Sequence, residues 1–401
     1  MRDRLLVTAA ACIAMTTPAS AQPMIVADSG DSAWVLSAAL LSMIATLPGL
    51  ALFYGRGRAG PTGFALFVAT AIASLAFAVI GYTLIFADGS TLLGSLTNAF
   101  LANLSDVLDG TTVSEAVFAL FELAFALFAV GILTSSIAER ARLGWLLPFV
   151  GIWLMFVYVP VARWVWVGWL GDLGTLDYAG GVTVQITAGV AALVVGLLLR
   201  SPESHDIQHD SRLAIAGSAL IWVGWLGLIG GSALGGGADA ATAILNAQIA
   251  VSAALITGTF IDQFRSRHVS VYSAANNVLA GLAAVSAGAS VIGIAGAIIL
   301  GALAALICSA ASLFVERMKL GGTAAAFTVH GAPAMMGAIV FPALMLPVLG
   351  GADFEEGSNM ATLLGAQAIT VAIVVLWTAV ATVIAALMVS MVIPMKQRKT
   401  G

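Results

Sequence analysis

The sequence predicts an all-α polytopic membrane protein of eleven transmembrane helices, built as two inverted five-helix repeats plus one extra helix. Three observations predict it. Only 9% of the residues are charged, against roughly 25% in a soluble domain, and mean hydropathy is +1.04. Basic and acidic loops alternate along the chain. Thr183-Val184-Gln185 recurs 145 positions later as Thr328-Val329-His330, and each copy opens a long apolar stretch. Small residues follow both copies: Ile186-Thr187-Ala188-Gly189 and Gly331-Ala332-Pro333-Ala334.

In chain order, residues 1–21 read as a secretory signal peptide. Arg2 and Arg4 supply the positive region, Leu5 to Met15 the apolar core, and Ala19-Ser20-Ala21 the small-x-small cleavage pattern. The other reading is an uncleaved first helix, but the run is too short to span. Cleavage leaves Cys308 alone, so no disulfide is expected. Residues 22–395 form the transmembrane domain and 396–401 a short cytoplasmic tail.

Eleven runs reach the roughly 30 Å of a hydrocarbon core: 33–54, 63–87, 116–137, 143–161, 182–199, 213–234, 241–264, 273–289, 292–315, 324–349 and 361–394. Arg56, Arg58, Arg140, Arg142, Arg200, Arg212, Arg265, Arg267, Arg317, Lys319, Lys396, Arg398 and Lys399 all follow odd-numbered runs. Asp28, Asp31, Asp88, Asp106, Asp109, Asp172, Asp239, Asp353, Glu355 and Glu356 fall on the opposite side, where Arg163 is the one basic exception. The positive-inside rule then places the N-terminus outside and the C-terminus in the cytoplasm.

The charge of -4 carries no nucleic-acid signal, and no CxxC, HExxH, P-loop or GxSxG pattern occurs. Neither an enzyme nor a cofactor is expected. His205 and His209 have metal-compatible spacing but sit in a polar loop, where a solvated role is the plainer reading. Gly235–Gly237 lacks a following Lys, so no phosphate cradle is expected.

The polar and aromatic residues within spans carry the candidate chemistry. His330 is the only histidine in a hydrophobic run, and such residues usually face a bundle interior. Trp164, Trp166 and Trp169 could be interfacial anchors, or an aromatic face that attracts a small cation. Asp177 could cap the helix that follows it, or draw cations. Glu122 lies between Phe121 and Phe125 in an apolar helix, either near the headgroups or in a functional site. Ser232 could accept a cationic N–H, or simply pack helices.

Several collinear segments resemble the ammonium transporter family (Amt/Mep/Rh), identifying a divergent bacterial-type member. They are Ser32–Val35 and Pro48–Gly55, Phe121–Phe125 with Ala138-Glu139-Arg140, Leu176-Asp177-Tyr178-Ala179-Gly180-Gly181, Trp222–Trp225 through Ser232, and Phe327–Gly331. The resemblance implies a bacterial inner-membrane protein, usually a homotrimer, with one pore per subunit between two five-helix repeats. It implies an outer cation site of Trp166, Ser232 and Phe125, with Phe125 also a gate phenyl. Asp177 would shape the vestibule, and His330 would be one of two paired pore histidines.

The departures are specific. Gln185 replaces the other pore histidine, Leu228 the second gate phenyl, and Glu122 a glutamine. Gly321-Gly322, Ala325 and Arg163 stand where an acidic pair, an aspartate and a histidine are common. The tail after Met395 is short, so regulation by a PII-type protein is not expected. Imidazole can relay a proton near neutral pH, and Gln185 cannot titrate. Glu122 is the candidate for the missing relay group. The expected function is ammonium or ammonia transport through a hydrophobic pore. The alternative is an ammonium-binding, non-transporting sensor, which a fused signalling domain would mark and this sequence does not contain.

The charge alternation makes a direct prediction. A cysteine introduced at Asp353 reacts with an impermeant thiol reagent from outside, and one at Arg265 does not. The reverse pattern would overturn the orientation.

Overall fold

The computed structural model describes residues 26–55, 59–199 and 210–396. The predicted signal peptide, Arg56, Arg58, Arg200, the loop with His205 and His209, and Arg398 and Lys399 lie outside the described residues.

The described residues form eleven apolar helices. These are α1 Ser29–Tyr54, α2 Ala59–Phe86, α3 Glu115–Ile137, α4 Leu143–Asp172, α5 Gly181–Leu198, α6 Ser211–Gly231, α7 Ala238–Ser266, α8 Val271–Val285, α9 Ile294–Arg317, α10 Phe327–Leu344 and α11 Met360–Ser390. Ten are long enough to cross a bilayer. The exception, α8, has 15 residues, roughly 22 Å at 1.5 Å per residue.

The chain after α8 turns within the protein, where its backbone cannot bond to water. Neighbouring segments satisfy it. Tyr178 and Ala179 donate their amides to the Ala287 and Ser286 carbonyls at 3.1 and 2.9 Å. Asn246 Nδ2 donates to the carbonyls of Ala289 and Ile292 at 2.9 and 2.7 Å.

Contacts between loops fix the two ends of the bundle. At one end, Asp31 accepts from the Thr112 hydroxyl and, at 2.9 Å, from the Gly236 amide. At the other, Arg140 Nη1 donates to the Leu320 carbonyl at 3.1 Å, and the Arg142 amide to that of Met395 at 2.9 Å. This is the grouping that eleven antiparallel spans require.

The central helices are α3 and α5: 78% of the apolar window of each is buried, against 33% for α2 and α7. The two repeated segments open α5 and α10 in the same way. Gly181–Ile186 and Phe327–Gly331 are both widened helical turns with i→i+5 bonds, a geometry frequent at functional sites. The helices then cross at Gly189 and Gly331, where a Cβ on Gly189 would lie 2.5 Å from the Gly331 Cα. The small residues after each copy therefore permit close backbone approach.

Arg163 requires a correction. The sequence places it in an outer loop after the fourth span, but α4 continues to Asp172 and buries it at 4% exposure. Its guanidinium meets the carbonyls at and just beyond the end of α2: Nη1 donates to Ile85 (2.7 Å) and Ala87 (2.9 Å), Nη2 and Nε to Ser90 (2.7 and 3.1 Å). Helix C-termini leave such carbonyls unpaired and carry partial negative charge, so they can hold a cation at depth.

The crossing predicts a steric penalty. Gly189→Ala should cost about 1–3 kcal/mol as overpacking against backbone and lower the melting temperature in detergent by several degrees. Gly60→Ala, in α2 with no heavy atom within 4 Å of the added Cβ, should not. Equal melting temperatures would remove the close approach as a constraint.

Candidate functional site

α3 starts at the end of the bundle where Asp31 meets Thr112 and Gly236, called outer here after the charge alternation, while α6 runs toward that end, and their side chains pair level by level. At the outer level a Cβ on Gly231 would lie 2.5 Å from the Phe121 ring. At the inner level Phe128 and Trp225 pack edge to face, centroids 5.0 Å apart. Phe125 and Leu228 occupy the level between, both buried. At 1.5 Å per residue, Glu122 lies about 9 Å outward of Phe128 along α3, and Ser232 about 10 Å outward of Trp225 along α6.

The outer level opens on a cavity of about 480 Å³ whose lining includes Glu122, Phe125, Trp166, Asp177 and Ser232. The structure thus brings together the five outer residues that the sequence singled out. Trp166 is held on both sides: Nε1 donates to the Asp177 carbonyl at 3.1 Å, and the ring lies parallel to Phe86, centroids 6.5 Å apart. Its centroid is 5.6 Å from that of Phe125, edge to face. Ser232 Oγ donates to the Leu228 carbonyl at 2.9 Å, which leaves its lone pairs as acceptors. The neighbouring tryptophans differ. Trp164 Nε1 donates to the Leu92 carbonyl at 3.1 Å, and its ring packs against Trp169 and Trp377.

Asp177 caps α5. Its carboxylate accepts the Val182 amide at 2.9 Å and the Thr183 amide and hydroxyl at 2.8 Å each. Burial raises the carboxyl above the usual carboxylate range, and these donors pull the other way. With its bonds directed into the protein, the group shapes the cavity wall. Gly180 completes the turn at φ +73°, where a Cβ would sit 3.2 Å from the Phe125 ring and 2.8 Å from Val184.

Gln185 and His330 meet away from this cavity. Gln185 Oε1 lies 2.8 Å from His330 Nδ1, and both side chains are buried. This orientation makes Nδ1–H the donor, so Nε2 presents its lone pair. Nε2 has no hydrogen-bond partner among the described residues. Trp225 stacks on the imidazole (centroids 5.5 Å), Tyr54 lies at 6.2 Å, and Phe128 stands edge-on at 6.4 Å. Glu122, the candidate relay group, belongs to the outer cavity. Phe125 stands between it and the Phe128 level.

Sequence reasoning missed Phe128, although Phe121, Phe125 and Phe128 follow an i, i+4, i+7 pattern on one helix face. It also missed Glu115, which lines the outer cavity. No pattern marked that residue. It accepts from Tyr82 OH of α2 (2.7 Å) and, from the loop between α2 and α3, from Asn98 Nδ2 (3.3 Å), the Ser105 amide (2.7 Å) and Ser105 Oγ (2.8 Å), contacts that only the fold creates.

Comparison with known proteins adds an independent finding. Residues 33–400 match the Ammonium Transporter Family profile. The chain is 32% identical over 373 residues to a putative ammonium transporter of Methanothermobacter thermautotrophicus, covering 90% of this chain and 92% of that protein. It is 34% identical to the ammonium transporter of Bacillus subtilis, covering 77% and 79%. Among solved structures, Candida albicans Mep2 superposes with a TM-score of 0.84 at 27% identity, covering 93% of this chain and 87% of Mep2. A match of this extent, on eleven helices with the outer cavity and buried Gln185–His330 pair described above, places the chain in the ammonium transporter family.

Proposed function

We propose that this protein transports ammonium across a membrane by holding the cation in the outer cavity and passing ammonia inward. The relatives above are described as ammonium transporters, and family membership supports the same substrate here. What carries the pathway is the column of paired levels from the cavity through Phe125 and Leu228 to Trp225, Phe128 and His330.

A hydrated ammonium ion cannot enter a narrow apolar lumen without losing most of its water. The outer cavity offers replacements: the π faces of Trp166 and Phe125 and the lone pairs of Ser232. Phe125 and Leu228 then form an apolar passage that rejects the ion and admits ammonia. Beyond it, His330 Nε2 can accept a hydrogen bond from ammonia. Gln185 fixes the tautomer but cannot hold an excess proton. Little net charge therefore moves with each ammonia. The sensor alternative is not favoured: a solved structure described as a sensor Amt protein is 24% identical, a likeness of fold alone.

The reading extends to placement and assembly. The protein would reside in a bacterial inner membrane with its N-terminus outside, after removal of residues 1–21, and assemble as a homotrimer.

Two substitutions test the pathway in purified protein reconstituted into lipid vesicles. Trp166→Leu should weaken apparent ammonium affinity on the order of tenfold, since a desolvated cation–π contact is worth about 2 kcal/mol. Unchanged kinetics would return Trp166 to an anchoring role. Gln185→His restores a second titratable ring and should raise ammonium-driven current more than it raises total uptake. If current and uptake rise in proportion, the pair does not govern charge movement.

A further inference from the structure

We infer that the pocket among Arg265, Asn276 and Glu316, at the ends of α7, α8 and α9, binds a small zwitterionic α-amino acid whose side chain carries an N–H donor. The site is separate from the outer cavity and the Gln185–His330 pair, and it does not depend on the transport reading.

α7 ends at Ser266, α8 begins at Val271 and α9 ends at Arg317. These three ends lie where Arg140 meets Leu320, called inner here after the charge alternation. Between them is a pocket of about 260 Å³. That is below the roughly 300–1,000 Å³ of sites for drug-sized ligands, so its ligand must be small. The lining is polar for a bundle of apolar helices. It includes Asp262, Arg265 and Glu316, two asparagines and four serines.

Some of these groups are already used by the fold. Asp262 accepts the Ser270 amide and the Ser273 hydroxyl at 3.1 Å each, which fastens the turn from α7 to α8. Asn277 Nδ2 donates to the Ser273 carbonyl at 2.9 Å, and Ser312 Oγ to the Cys308 carbonyl at 2.8 Å. Three groups are left over. Arg265 and Glu316 are exposed at the mouth, on neighbouring helices, and neither side chain is bonded to another described residue. Asn276 Oδ1 is buried and has no hydrogen-bond partner among the described residues.

These three groups define the ligand. A buried amide oxygen without a donor is costly, so Asn276 calls for an N–H. The Arg265 guanidinium matches a carboxylate in a two-pronged geometry. Glu316 matches an ammonium group. A simple anion or a simple amine would answer only one of the two charges. An amino acid with an amide side chain answers both and also supplies the donor for Asn276.

The test is titration calorimetry of L-glutamine into the purified full-length protein. Wild type should bind it saturably. Arg265→Gln and Glu316→Gln should each weaken binding at least about tenfold, the scale of one lost hydrogen bond to a charged group. L-Leucine lacks the side-chain N–H and should also bind at least about tenfold more weakly than L-glutamine. Acetate and methylammonium carry one charge each and should bind more weakly still. The inference is overturned if wild type shows no saturable binding up to about 10 mM L-glutamine, which would make the pocket a water-filled notch. It is equally overturned if both charge variants bind like wild type, or if L-leucine, acetate or methylammonium binds as tightly as L-glutamine. Should the charge variants not fold, Ser309→Phe decides, because it places a ring in the pocket and keeps every charge: undiminished binding overturns the site.

Discussion

Backbone at bilayer depth must find its hydrogen bonds within the protein, and this chain departs from regular helix where that is hardest to arrange. The opening turns of α5 and α10 are widened, the chain between α8 and α9 is irregular, and α1 contains Pro48, which has no N–H to donate. Those of α5 and α10 lie beside the proposed pathway, and α2 and α4 carry further widened turns at Phe77–Gly81, Leu154–Tyr158 and Arg163–Val167. Asp177 compensates at the start of α5 with a full cap from outside the helix, and Asn246 does so for the turn after α8. Without the Asp177 cap the first amides of α5 would be left unpaired within the protein, and Gln185 would lose the turn that brings it to His330.

The same constraint explains how a rigid outer site is made from few groups. The Asp177 carboxylate holds the first amides of α5, while its carbonyl holds the Trp166 indole. One residue thereby ties the cavity's principal aromatic face to the helix that carries Gln185. Gly180 lets Phe125 pack against this turn, because any side chain there would meet the ring. The cavity wall, the Phe125 ring and the first turn of α5 are mechanically one unit.

Most of this was legible in the sequence. The hydrophobic runs located the helices within about five residues, since spanning length and hydropathy act locally; the exception is the end of α4, read at 161 and found at Asp172. The repeated Thr183-Val184-Gln185 and Thr328-Val329-His330 segments pointed to a seam, because the same backbone geometry recurs where two halves meet. Asp177 could be read as a cap from its place before α5. Arg163 could not be read correctly. Hydropathy ends a span at a charge, and only the fold shows the carbonyls beyond α2 that receive it. Glu115 and Glu122 look alike in sequence, two acids seven positions apart on one helix. They differ because one is enclosed by a loop that supplies donors and the other is not, and loop conformation leaves no local pattern.

Arg163 also bears on how the molecule is made. A guanidinium within a spanning segment raises the cost of inserting that helix into lipid. Its compensation comes from carbonyls at Ile85, Ala87 and Ser90, on a segment already synthesised when α4 appears. The fourth span therefore enters the bilayer at lower cost when the end of α2 waits beside it. Biogenesis then favours an order in which α2 and α4 associate during translation, before α5 and the second repeat exist.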